Sequence, residues 1–430
     1  MSLYSALNSA VSGLQAQSSA LSAISTNIAN ASTTGYKVVD TDFDSLVAAS
    51  TATATSASSA SGGVTTSTYR EMATQGEIST TTTTTNMAIN GSGFFVVSAS
   101  ATDATAGTDL YTRDGSFSAD ANGNLVNDSG DYLMGYATDS TGTPTSSSAG
   151  TLAGLTPVVV PTTTTVSATT TASLAANLPA GLAVGGSVTN TMTVVDSQGV
   201  SQTIGETWTK TASNTWSVAL SDPYTTASDG TTTTTGTTTP STVTVSFDDN
   251  GVLSSTDPSP VSISVAATSG ASSTFTWDLG TAGSTDGLTQ YASSDSTNEI
   301  SITSTNQNGT SAGSLTSTAI SSAGLVTATY SNGESVVVAK VPVATFADEE
   351  GLTELSGSTY TASTASGSAT LSTAGVGSAG TITGSALEAS TTDTAAEFNQ
   401  MIVAQQAYSA AAQVVTYVDK MFNTLIQAIG

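Results

Sequence analysis

The chain has 430 residues, of which 6 are Lys or Arg and 32 are Asp or Glu, for a formal net charge of -26, and it contains neither histidine nor cysteine. Those absences exclude disulfides, thiolate or imidazole metal ligands, and every catalytic arrangement built on His or Cys. The six basic residues lie far apart, so nucleic acid and anionic membrane surfaces are both poor partners, because binding either needs clustered cations.

Hydrophobic residues make up 38% and charged residues 9%, so the surface is polar without being highly ionised. Abundant Thr and Val favour strands over disorder. The length suits two or more domains. No apolar run approaches the roughly 20 residues of a membrane helix. The first residues lack the basic and apolar regions of a cleaved signal, so neither membrane insertion nor signal cleavage is expected.

From Ser2 to Asn30 apolar residues recur every seven positions. Leu7, Leu14, Leu21 and Ile28 form one row and Leu3, Ala10, Gln17 and Ile24 a second, the a and d positions of a heptad. Residues 1–36 carry no charged side chain. The stretch Asn27-Ile28-Ala29-Asn30-Ala31-Ser32-Thr33-Thr34-Gly35-Tyr36-Lys37 therefore reads as a helix end, a turn permitted by Gly35, and, at Lys37, the exit from an uncharged layer.

After it the period changes to two. Met87–Val97 reads as strand, Gly91-Ser92-Gly93 turn, strand; the turn lacks the third glycine and the helix of a phosphate cradle. Phe117–Leu125 reads as a hairpin, similar units follow at Met192–Val200, Thr207–Leu220, Val243–Leu253 and Thr274–Leu279, and Leu325–Tyr330 and Ser335–Val343 form another pair joined by Ser331-Asn332-Gly333-Glu334. Short strands at this spacing predict sandwich or barrel-like β domains. Ser50–Gly63, Ser79–Thr85, Thr225–Thr239 and Ser356–Gly380 read as loops or linkers, although Thr-rich runs also suit exposed strands.

The last segment is again helical. Thr394-Ala395-Ala396-Glu397 fits a capping box, with Asp393 at the positive helix end. Met401, Tyr408, Val415, Phe422 and Ile429 form one row, and Ala404, Ala411, Val418 and Leu425 the other. A helix over 394–429 would be about 54 Å long. Seven large seam side chains would yield roughly 10–20 kcal/mol on burial, less than the cost of ordering them at about 1–2 kcal/mol per residue. The terminal helices are therefore expected to become fully ordered only in an assembly. Their heptads fit either an intramolecular helix pair or the core of a polymer. The near absence of charge at both ends favours the polymer, since like charge would oppose packing many copies there.

No catalytic, cofactor-binding or metal-binding residue is identified, and no cofactor is expected. Asp120-Ala121-Asn122-Gly123 and Asp248-Asp249-Asn250-Gly251 resemble fragments of calcium loops but lack the closing Glu, and both suit hairpin turns.

Several blocks resemble one family. Asn27-Ile28-Ala29-Asn30 with Thr33-Thr34-Gly35-Tyr36-Lys37 resembles the N-terminal signature of the flagellar rod and hook axial proteins. Gly384–Ser390, which includes Ala386, Leu387 and Glu388, and Met401–Tyr408 resemble their C-terminal signature. Asn86–Phe95 and Tyr111–Phe117 are similar to the family's first β domain, and Val194–Gly199 and Thr305–Gly309 to segments of its longer hook members. Gln406, where members often have Arg, and Thr391-Thr392, where they often have Asn-Val, depart from the pattern.

The resemblance implies a mainly β structural protein with a coiled-coil-like pair of terminal helices and nested β domains between them. The expected layout is a core helix at 1–30, a linker at 31–70, a first β domain from 71–150 with 290–360, a second at 151–289, a return linker at 361–390 and a core helix at 391–430. The polymer seam would be Leu7, Leu14, Leu21, Ile28, Met401, Tyr408, Val415, Val418, Phe422 and Leu425, and the signature residues Asn27, Asn30, Gly35, Tyr36, Lys37, Ala386, Leu387 and Glu388. It further implies a flexible extracellular tube, a universal joint between motor rod and filament, exported through the flagellar apparatus. Partners would be further copies of the chain, rod proteins, a hook cap and hook–filament junction proteins. The rival readings are a distal rod or junction protein and, from another class, a secreted acidic adhesin or surface-layer protein; an enzyme is not expected.

Overall fold

The first element, α1, runs Leu3–Ala29 and carries no charge. Among the described side chains its buried residues are Ala10, Ala16, Ala20, Ala23, Ile24 and Asn27, which share one broad face of the helix. Most are alanine, so neighbours approach closely, and that face packs on the last helix and on the hairpin that follows. This is a computed structural model, and it describes residues 3–47, 61–101, 109–146, 150–227, 229–292 and 299–429.

The last helix, α2, spans Thr394–Ile429. Asp393 caps it, its Oδ1 accepting from Ala395 N at 2.9 Å and Ala396 N at 3.2 Å. The cap is thus one residue earlier than the capping-box reading, and Glu397 turns to α1 instead of back to the helix start. A carboxylate is the stronger acceptor at the positive helix end, which explains why Asp393 displaces Thr394. Among the described side chains of α2 only Glu397, Ala404 and Val418 are buried, seven and fourteen residues apart on one stripe.

Several expected loops are strands. The hairpin of β1 (Val39–Val47) and β2 (Ser61–Arg70) occupies the segment read as a linker, paired antiparallel from Val39↔Arg70 onward. Ser50 to Ala60 of the expected Ser50–Gly63 loop lie outside the described residues. Thr225–Thr239 contains strand Thr232–Thr234, strand Gly236–Thr239 and the end of Tyr224–Thr226. Ser356–Gly380 contains Thr359–Thr361 and Thr370–Thr373, and β3 (Ile78–Thr80) enters Ser79–Thr85. The branched Thr side chain suits a pleated strand, and in these runs it outweighs the low-complexity look of the sequence.

The chain divides into two compact units, the first comprising Met1–Pro161, Ser317–Thr329 and Ser335–Gly430, the second Thr162–Thr316 and Tyr330–Glu334. The first unit holds both helices and a sheet in which Ser335–Lys340, Tyr132–Ala137, Phe95–Ser98, Leu110–Thr112 and Thr359–Thr361 are successive neighbours. Its core joins Met72, Phe94, Tyr111, Met134 and Tyr360, with Phe346 edge-on to Phe94 at 5.9 Å and to Tyr111 at 4.8 Å.

The second unit pairs a five-stranded sheet with a seven-stranded one over a shared core. Strands such as Thr171–Asn177 and Ser201–Ala212 alternate buried and exposed positions, as a sandwich requires. Trp208, Trp216 and Trp277, all the tryptophans of the chain, lie in that core. The Asp120 and Asp248 segments are hairpin turns. Asp120 Oδ1 accepts from Asn122 N and Asn124 N at 2.8 Å, and Asp248 Oδ1 from Asn250 N and Val252 N at 2.9 Å.

Candidate functional site

The two family-like signatures, 350 residues apart in sequence, meet in one buried polar joint of the first unit. After α1 the chain turns through Gly35, whose φ of +65° is accessible to glycine at little cost. A Cβ there would lie 2.7 Å from Arg113 C and Asp114 N, so the turn also needs the missing side chain. Gly35 N donates to Glu388 O at 2.9 Å and Thr391 N to Tyr36 O at 3.1 Å, so the first chain end lies against the start of the second. Asn30 closes the helix end by donating to Thr26 O at 2.9 Å and accepting from Thr33 Oγ1 at 3.1 Å.

Asn27, 1% exposed, holds three segments together. Its Nδ2 donates to Val39 O and to Glu397 Oε1, each at 2.9 Å. Its Oδ1 accepts from Val39 N at 2.9 Å and Tyr36 OH at 3.0 Å. The Tyr36 ring in turn lies under the Arg70 guanidinium at 4.9 Å, and Arg70 Nε donates to Glu354 Oε2 at 2.8 Å.

Lys37, the first charged side chain of the sequence, is fully buried in the joint. Its Nζ donates to Glu388 Oε1 at 2.6 Å and to Thr74 O at 2.5 Å. The second Glu388 oxygen receives Arg113 NH1 at 3.3 Å, and Oε1 also accepts from Gly76 N at 2.9 Å. A buried charge is tolerated when it is paired and hydrogen-bonded, and Glu388 supplies both conditions to two cations. Burial pushes the Lys37 ammonium below its ordinary range, against the pull of Glu388. Burial pushes the Glu349 carboxyl up, and Arg113 and Lys37 oppose that.

Glu388 is placed by strand pairing. Ala386–Glu388 runs antiparallel to β3 with Ile78↔Glu388 and Thr80↔Ala386, and Ala386 is completely buried while Leu387 is half-buried. The structure thus brings Asn27, Gly35, Tyr36, Lys37, Ala386 and Glu388 into one joint. Sequence reading missed Thr74, Gly76, Arg70, Arg113 and the Asn27–Glu397 link. A usable signal was the scarcity of cations: with six in the chain, each one near a signature block has a definite partner to find.

The expected helix seam is placed differently. In the single chain Leu7, Leu14, Leu21 and Ile28 are half-buried, as are Met401, Val415 and Phe422, and Val418 is buried. Tyr408 and Leu425 are 43% and 50% exposed. The best-buried α1 positions are the small residues between the two heptad rows, together with Ala10 and Ile24 of the second row. Around the stripe that faces α1, α2 exposes Phe398, Ile402, Val403, Val414, Tyr417, Met421 and Ile426. A groove of about 380 Å³ lies beside them, lined by Gln17, Ala20, Ile24, Phe43, Val403 and Ala407 among others. Among the described residues no helix is long and apolar enough to cross a membrane and no metal-holding cluster is present.

Four family descriptions match in chain order. They are flagella basal body rod protein (residues 7–37), the flagellar hook protein FlgE/F/G D1 domain (88–173), the flagellar basal body protein FlaE D2 domain (183–310) and the flagellar basal body rod FlgEFG protein C-terminal region (383–428). The chain is 34% identical to the flagellar hook protein FlgE of Salmonella typhimurium over 97% of its length and 98% of the relative's. It is 31% identical to that of Brucella suis, covering 99% of each, and 33% identical to that of Escherichia coli, covering 98% and 99%. A solved Helicobacter pylori flagellar hook protein FlgE2 has a TM-score of 0.47 and 14% identity, over 68% of this chain and 96% of that one. With both ends, the internal blocks and nearly the whole length matched, the chain belongs to the flagellar hook protein family, structural subunits of the bacterial flagellar hook and not enzymes.

Proposed function

We propose that this chain polymerises through its terminal helices into a hollow, bendable tube that joins the motor rod to the filament. The observation that carries this reading is the outer surface of α2: Ile402, Val403, Tyr417, Met421 and Ile426 are each 52–67% exposed, on a helix with only Glu397, Asp419 and Lys420 charged. Exposed large apolar side chains repeated along one helix mark an interaction site, and its lack of charge suits contact with identical copies of a chain of net charge -26. The seam Leu7, Leu14, Leu21, Ile28, Met401, Tyr408, Val415, Val418, Phe422 and Leu425 is then completed partly within the chain and partly by neighbours.

In this reading the helices form the inner wall, the joint at Lys37 and Glu388 fixes how the first β layer leaves it, and the inserted β unit forms an outer layer. Bending arises from sliding of Ser- and Thr-rich β surfaces over their neighbours. The chain leaves the cell unfolded through the flagellar export channel, without a cleaved signal, and meets rod, cap and junction proteins at the tube's ends. Ile402→Asp tests the core of this reading. It should leave the purified chain soluble, with the helical signal of the unassembled parent, and abolish sedimentable polymer; polymer equal to that of the parent would refute it.

A further inference from the structure

The joint between α1 and α2 holds a carboxylate oxygen that the pairing of the chain ends does not use. Glu397 is 5% exposed, and its Oε1 accepts from Asn27 Nδ2 at 2.9 Å. Its Oε2 is buried and has no hydrogen-bond partner among the described groups. Asn27 has no further donor to give, since its Nδ2 already serves Val39 O and Glu397 Oε1. A charged oxygen without a donor in so dry a place is costly.

The surroundings add to that cost. The ionisable groups that face Glu397 are Asp40 of β1, Asp393 ahead of α2 and Tyr36 of the turn after α1. The α1 helix contributes no charge. Arg70 of β2, which reaches the Tyr36 ring, is committed to Glu354 and to Lys37 O. Besides the Asn27 amide, the positive end of α2 favours the anion, and Asp393 already occupies that end.

We propose that Glu397 is a proton-operated latch between the terminal helices: with a solvent-derived proton on Oε2 the helices are held together, and ionisation loosens them. Burial pushes the Glu397 carboxyl above the usual carboxylate range; Asn27 opposes this, while Asp40 and Asp393 add to it. The folded joint therefore binds more protons than the unfolded chain. Its contribution is fully present below the unfolded pKa and is lost as pH rises through the folded one. The latch operates within a single chain, so it does not depend on the polymer reading.

Hydrogen exchange of the full chain, corrected for intrinsic rates and compared at about pH 5 and about pH 8, tests this by bracketing the carboxylate range. Amides of 16–27 and 397–408 should be several-fold better protected in acid. Glu397→Gln, which keeps the Asn27 contact, should show the acid-level protection at both values. Asp40→Asn, which keeps an acceptor for Thr41 N, should narrow the difference. Equal protection of the parent at both values, or an undiminished difference in either variant, would overturn the proposal.

Discussion

Replacing Glu388 by Ala removes the carboxylate on which the joint of the chain ends depends. Lys37 and Arg113, 0% and 3% exposed, would remain buried without their shared anion, and Gly76 N would lose its acceptor. Removing one partner of a buried pair costs about 3–5 kcal/mol, and orphaning a buried donor about 1–3 kcal/mol. The two effects share one side chain and do not add fully, so a loss of about 4–5 kcal/mol is expected for Glu388→Ala. Lys37→Met leaves Glu388 with Arg113 and Gly76 N, and should cost about 1–3 kcal/mol. Thermal melts followed by the helical circular dichroism signal read the first unit, because both helices lie in it. At roughly 2–4 °C per kcal/mol in domains of somewhat smaller size, Glu388→Ala should lower the midpoint by on the order of 10 °C. A drop of under about 2 °C, or a larger loss for Lys37→Met than for Glu388→Ala, would refute the assignment of Glu388 as the shared anchor.

Gly35→Ala should destabilise the same unit by about 1–3 kcal/mol in urea unfolding, since the new Cβ adds backbone strain to a contact of 2.7 Å with Arg113 C. In the second unit, burial raises the pKa of Glu206, which accepts from Trp208 Nε1 at 3.0 Å and Asn190 Nδ2 at 3.1 Å. Its protonated form favours the fold, so this contribution should fall as pH rises through the raised value, and Glu206→Gln should flatten the slope. Tryptophan fluorescence reports it, because all three tryptophans lie in that unit's core. Salt should promote assembly. Lys37, Arg70, Arg113 and Lys210 are engaged inside the chain, so copies have few cations to offer one another. Sedimentable polymer should therefore rise as the Debye length shortens from about 30 Å at 0.01 M to about 8 Å at 0.15 M.

Much of this was legible in the sequence, and what was not has physical reasons. The terminal helices follow from period-seven rows and a charge-free stretch, and hairpins such as Leu325–Tyr330 with Ser335–Lys340 from alternation around an Asn-Gly turn. The heptads pointed to the leucine row, yet α1 packs chiefly through Ala16, Ala20 and Ala23, because a close helix contact selects small side chains whose hydrophobic signal is weak. The partner of Lys37 was not legible because it stands at Glu388, and local pattern carries no information about an ion pair across 351 residues. The Thr-rich strands were hidden by composition: Thr is as common in polar loops as at the exposed positions of Gly236–Thr239. The Glu397 contact with Asn27 was masked by a competing local role, the capping box, which Asp393 fills instead.

The central claim is that the paired, nearly uncharged chain ends form the inner layer of a tube. Electron microscopy of the concentrated, purified chain tests it most directly. Short curved tubes with α1 and α2 lining the lumen and the β units outside are predicted; absence of tubes, or tubes with the helices outermost, would contradict the account.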